Sequence, residues 1–197
     1  MSGLKNSTKV LGLLCVLVIS GCGINNIPTY DEAVDAAWSQ VQNQYQRRAE
    51  LIPNLVKTVK GFAEQEKDVL TSVVEARAKA TSMQLPDNVL SDPKAFEQFQ
   101  AAQDQLGSAL SKLMVVVERY PELKSNENFL ALQNQLEGTE NRIAVARRDY
   151  IQAVKTYNTE LRTFPGRIWH GILYSDQESR ETFSVPKEME QVPSVEF

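Results

Sequence analysis

Starting at Val34 and stepping alternately four and three residues, the chain gives Val34, Trp38, Val41, Tyr45, Arg48, Ile52, Leu55, Val59, Phe62, Glu66, Val69, Val73, Ala76, Ala80 and Met83. Only Arg48 and Glu66 in that series are charged. An apolar rhythm of about 3.5 residues held over this length predicts a helix seam of the coiled-coil or bundle type. A companion row, Ala49, Val56, Ala63 and Leu70, widens the stripe enough to face more than one partner. The pattern predicts one long helix from Thr29 to Gln84, opened by the capping box Thr29-Tyr30-Asp31-Glu32. At about 1.5 Å per residue it would reach roughly 80 Å. Pro53 lies inside it and deprives the Ala49 carbonyl of its helical N–H partner, which predicts a kink. The apolar phase runs unbroken across the proline, so the expectation is one bent helix.

Leu85-Pro86-Asp87-Asn88 closes that element, and Ser91-Asp92-Pro93 opens the next with a capping side chain and a first-turn proline. The second helix carries the seam Phe96, Phe99, Gln103, Leu106, Leu110, Leu113, Val117 and Tyr120, and Pro121 stops it. A tight link, Glu122 to Ser125, predicts an antiparallel return. The third helix, from Ser125-Asn126 to about Phe164, carries Phe129, Leu132, Leu136, Thr139, Ile143, Ala146, Tyr150, Ala153, Tyr157, Leu161 and Phe164. Gly138 within it is expected to admit a close neighbour. A short apolar helix follows at 167–174, and residues 175–197 read as an extended tail. The fold expected is all-α: an antiparallel helical bundle over 29–174 with a very long, Pro-kinked first helix, two further long helices and a short C-terminal one.

The N-terminus has a different character. Lys5 and Lys9 precede the apolar run Val10–Ile19, which is shorter than the ~20 residues a spanning helix needs. Ile19-Ser20-Gly21-Cys22 then resembles a bacterial lipobox. Residues 1–21 are therefore read as a lipoprotein signal peptide, Cys22 as the lipidated residue and 22–28 as a tether. Cys15 would leave with the signal, so the mature chain would hold no disulfide. Loss of Lys5 and Lys9 leaves 19 basic against 25 acidic residues, a formal charge of −6, which argues against a nucleic-acid partner. With 42% hydrophobic and 23% charged residues the rest has the balance of an ordinary globular domain.

Several segments resemble the signature stretches of the LemA family: Arg47-Arg48-Ala49-Glu50-Leu51-Ile52-Pro53-Asn54-Leu55-Val56, Arg119-Tyr120-Pro121-Glu122-Leu123-Lys124-Ser125-Asn126-Glu127-Asn128-Phe129, Leu136-Glu137-Gly138-Thr139-Glu140-Asn141-Arg142-Ile143, Ala146-Arg147-Arg148-Asp149-Tyr150, and the closing Val192-Pro193-Ser194-Val195-Glu196-Phe197. The resemblance implies an all-helical bundle held at a bacterial membrane by its N-terminus, with no settled biochemical activity. The sequence departs from it in two ways: the anchor is short and lipobox-like, and Gln65 stands where members often have His before Glu66-Lys67.

The chemistry-bearing residues are sparse. The single histidine, His170, has Arg167 three residues before it, so the Glu-x-x-His pairs of a di-metal bundle are missing and no metal or other cofactor is expected. No nucleophile elbow, phosphate loop or dinucleotide fingerprint occurs. The anomaly is the pair of seam charges, because a buried charge needs a partner. Partners for Arg48 and Glu66 are expected among Glu137, Glu140, Arg142, Arg147 and Arg148. The structural reading is that these charges fix helix register. The functional alternative is a polar pocket between the first and third helices, at Arg48, Glu66, Glu137, Glu140 and Arg147, that binds a small ligand or lipid. The primary expectation is a lipid-anchored envelope protein, on the periplasmic face of the outer membrane where two membranes exist. It would be an adaptor for other envelope proteins and no enzyme.

Overall fold

The computed structural model describes residues 23–184. Cys22, the signal peptide and the tail from Val185 onward lie outside the described residues. Six helices and no strand occur among the described residues: α1 Asn26–Lys60, α2 Lys67–Ser82, α3 Pro93–Val117, α4 Pro121–Lys124, α5 Glu127–Arg162 and α6 Gly166–Leu173. The all-α expectation holds. The chain divides into two compact units, and α1 and α5 contribute residues to both.

The larger unit takes in 37–151 together with the segment from Glu181. Here the expected single helix to Gln84 is corrected. The chain continues past Pro53 but leaves the helix at Lys60, turns through 61–66, and returns as α2. The Val59 carbonyl accepts from the N–H groups of both Phe62 and Ala63, which tightens the last turn of α1. The physical reason is burial. By turning back, α2 places Leu70, Val73 and Ala76 in the same core as Ile52, Leu55, Leu106, Leu110 and Leu113. A straight rod would have carried those side chains past the ends of its partners, into water. Phe62, a predicted seam residue, is exposed because the seam ends there.

Helix directions follow from contacts at the two ends. Trp38 on α1 meets Phe96 and Phe99 near the start of α3 and Tyr150 toward the end of α5. Glu66, just before α2, meets Arg119 and Tyr120 just after α3. In this unit α1 and α3 therefore run one way and α2 and α5 the other, an up-down-up-down arrangement. Asp92 caps α3 by accepting from the N–H groups of Lys94 and Ala95, as its sequence predicted. Asn126 accepts from the N–H of Phe129 at the start of α5.

The end of this unit is closed by a segment that read as tail. Phe183 is buried against Trp38, Phe96 and Tyr150. Its backbone is fastened by side chains: the Gln100 amide donates to the Ser184 carbonyl at 2.6 Å and accepts from its N–H at 3.3 Å, and the Tyr150 hydroxyl donates to the Glu181 carbonyl at 2.8 Å.

The smaller unit combines residues up to Ala36 with 152–180. The expected tether from Gly23 to Pro28 is instead part of the fold. Asn26 opens α1, its N–H bonded to the Gly23 carbonyl, and Ile27 is fully buried. The capping box is corrected with it: the Thr29 hydroxyl donates to the Asn25 carbonyl from within the helix. Asp31 holds Arg180, at 2.6 Å and 3.0 Å, in place of a role at the helix start. The Asn158 amide pairs with both backbone groups of Arg180 at 2.9 Å each. The Tyr157 hydroxyl bonds Gln177 at 3.0 Å, and His170 Nε2 lies 2.9 Å from the Gln177 carbonyl. Gly166 is required where α6 meets α5, since a Cβ there would stand 2.3 Å from the Glu160 carbonyl oxygen.

Candidate functional site

Arg48 occupies a seam position of α1, so the heptad phase carries a guanidinium into the larger unit's interior, where its residue is 3% exposed. Nη2 donates to Gln103 twice, to the backbone carbonyl at 3.0 Å and to the side-chain Oε1 at 2.8 Å. Nη1 donates to Glu140 Oε1 at 3.2 Å. One cation thus ties α1 to α3 and α5 at a single level of the bundle. Its Nε is buried without a hydrogen-bond partner among the described residues. The Tyr45 ring lies 5.0 Å from its Cζ. Burial raises the Tyr45 pKa, with Arg147 and Arg48 pulling the other way.

The Glu140 carboxylate is the outward face of this network, with 43% of its side chain exposed. It borders a groove of about 770 Å³ between α3 and α5, lined by Asp104, Gly107, Ser108, Ile143 and Arg147, with Arg48 beneath. Arg147 stands 3.9 Å from Asp104, and its Cζ lies 4.3 Å from the Phe183 ring. Each positive group in the groove therefore already faces an acid. Gly107 keeps the wall near Arg48 low, since a Cβ there would be 3.8 Å from Nη1.

The predicted residues are thus partly gathered. Arg48, Glu140 and Arg147 share one groove. Glu137 lies outside it, accepting from Gln133 on its own helix and bordering an adjoining groove of about 490 Å³. Glu66 is elsewhere. It sits in the turn before α2 and accepts from Arg119 Nη2 at 3.0 Å and the Tyr120 hydroxyl at 2.8 Å. That bond to Glu66 raises the Tyr120 pKa. The expectation that Glu66 pairs on the third long helix is corrected by the turn at 61–66, which points it at the α3–α4 junction. Gly138 admits no neighbouring helix; the nearest atoms to a Cβ there belong to Arg142 of the same helix, at 3.7 Å and 3.8 Å.

Two residues were missed. Gln103 was placed on the seam but not as a partner, although a polar residue at an apolar phase was the available signal. Arg77 answers the proline. Its Nε donates to the Ala49 carbonyl at 2.8 Å, the same carbonyl that Pro53 leaves without a helical N–H. It does so beside a groove of about 530 Å³ walled by Tyr45, Ala80, Met83 and Phe99.

No group of three or more metal-ligating side chains converges among the described residues. No described helix is long and apolar enough to cross a membrane.

The LemA family profile matches residues 37–197. The chain belongs to the LemA family. It is also similar to magnetosome proteins MamQ 2 and MamQ 1 of Paramagnetospirillum magneticum, each 28% identical over 173 aligned positions. Magnetosome protein MamQ of Magnetospirillum gryphiswaldense is 26% identical over the same length. These alignments take in 80% of this chain and 64% of each relative, so the chain spans just under two thirds of the curated relatives it matches.

Proposed function

We propose that this LemA-family protein is a membrane-anchored helical adaptor of the bacterial envelope, acting by contact with other envelope proteins and not by a reaction of its own. The observation that supports this reading most is the fate of Arg48. A buried cation aimed into a cleft is the usual sign of a reactive or anion-binding centre, but here Glu140 and Gln103 take up both terminal nitrogens. What the bundle offers a partner is surface. The relatives are named for the magnetosome and not for a reaction.

Anchoring is assigned to the N-terminus. In this reading residues 1–21 are a signal peptide, Ile19-Ser20-Gly21-Cys22 is the lipidation sequence, and acyl chains on Cys22 hold the protein on the periplasmic face of the outer membrane. At about 0.8 kcal/mol per buried methylene, more than one chain makes attachment firm.

The test is photo-crosslinking in cells from Ser108 in the α3–α5 groove and from Val115, which is 71% exposed. An adaptor yields a discrete adduct with another envelope protein from at least one position. Adducts with no protein from either position contradict the reading. A second reading, a small-ligand module, is favoured by the groove holding Arg48 and Arg147 together. It predicts a small molecule retained by the natively purified protein and lost in Arg147→Ala.

A further inference from the structure

The smaller unit exposes an apolar face that its own fold leaves uncovered. Phe164 is 80% exposed, Ile168 47%, Ile172 68% and Leu173 52%. Ile168 and Ile172 lie four residues apart and so share one face of α6, and Phe164 is exposed in the turn two residues before the helix. The same helix turns Gly166 inward against Glu160, which fixes the orientation of that face. Two exposed arginines, Arg162 and Arg167, flank it, and neither makes an ion pair among the described residues. An apolar face edged by cations matches an anionic lipid surface, with side chains among the acyl chains and guanidinium groups at the phosphates.

The place where the described residues begin points to the occupant. The described chain begins at Gly23, where a Cβ would lie 3.4 Å from the ring of Pro165, the residue between Phe164 and α6. Asn26 is pinned to Glu160 at 3.0 Å. Cys22 is the next residue, and one peptide unit spans only about 3.8 Å. An acyl chain on Cys22 would therefore be attached one residue from the Gly23–Pro165 contact, at the start of α6. A surface so placed meets whatever membrane the anchor enters.

We propose that Phe164 and α6 form a second membrane contact, lying on the bilayer next to the N-terminal anchor. The contact rests on the membrane-anchored reading above. It converts a single tether into attachment at two points and so holds the smaller unit at a set orientation to the lipid surface.

The experiment uses the full chain, purified from membranes and reconstituted into vesicles of phosphatidylethanolamine and phosphatidylglycerol. A diazirine amino acid replaces Ile168, Ile172 or, as a control, exposed Gln152, which lies about 15 Å from Arg162 along α5. After flotation and irradiation, phospholipid adducts are measured by intact mass. The inference expects lipid adducts at positions 168 and 172 several-fold above position 152. Protein that floats with the vesicles but shows no such excess overturns the second contact and leaves the anchor standing. Protein adducts in place of lipid adducts at 168 and 172 overturn it in favour of a protein partner. Protein that does not float overturns both the contact and the anchored reading. The doubly substituted Ile168→Asp, Ile172→Asp chain, checked for native helicity, should float still but lose adducts from a diazirine at Phe164.

Discussion

Arg48→Ala leaves the Gln103 side-chain oxygen without its donor and Glu140 partly in water, whereas loss of the Glu140 charge leaves a buried guanidinium without its acid. Removing the buried cation should cost about 1–3 kcal/mol through the acceptor it leaves unsatisfied. Glu140→Gln keeps an acceptor oxygen but leaves the buried Arg48 guanidinium without its carboxylate, so it should cost no less. Urea melts of the three proteins check this, and a Glu140→Gln loss well below that of Arg48→Ala would mean that Glu140 does not compensate the guanidinium. Arg48 was legible as a seam charge from its heptad phase alone, and Glu140 was among its expected partners. Glu66 was legible only as an anomaly, since its partners depend on a turn that the apolar phase does not announce. At Tyr157, burial above all, then the Asp31 charge, pushes the phenol up to about 12, against the opposing pull of Arg180. The folded chain holds that proton more tightly than the unfolded one. The stability Tyr157 contributes is full below pH 10 and is lost as pH climbs toward about 12. Tyr45 and Tyr120 are shifted in the same direction. Tyr157→Phe should therefore flatten, without abolishing, the fall in Tm across that window; an unchanged slope would show that Tyr157 titrates normally.

At the scale of elements, Pro53 and Arg77 form one unit of structure drawn from two helices. Arg77→Ala should cost about 1–3 kcal/mol by leaving the Ala49 carbonyl short of a partner. Pro53→Ala supplies the missing N–H, so in that background the loss from Arg77→Ala should shrink markedly. Additive losses in a double-mutant cycle would contradict the coupling. The orphaned carbonyl was readable from the sequence, whereas its partner was not, because Arg77 reaches Ala49 only after the chain reverses at 61–66. Local rhythm reports which side of a helix is apolar and is silent on where the helix stops when no strong breaker intervenes; Gly61 alone was a weak stop signal. Phe183 was lost for the opposite reason. It is one apolar residue in a segment without periodicity, so nothing local marked it as core. Phe183→Ala should cost about 3 kcal/mol, and a Tm within error of the parent would place it outside the aromatic cluster.

For the whole molecule, the sequence conveyed fold class, family and helix-forming segments because those rest on residue pattern. It did not convey the two compact units or the groove between α3 and α5, because those follow from where the chain turns. In the function proposed above, this LemA-family chain is moored to a bacterial membrane through Cys22, and its buried Arg48 serves to hold helices together. Radiolabelled palmitate supplied to cells making either the parent protein or Cys22→Ala, followed by membrane fractionation, tests that mooring most directly. The account predicts a labelled parent protein in the membrane fraction and an unlabelled variant that is released or left unprocessed. Label entering Cys22→Ala, or a parent protein recovered free of membranes, would contradict it.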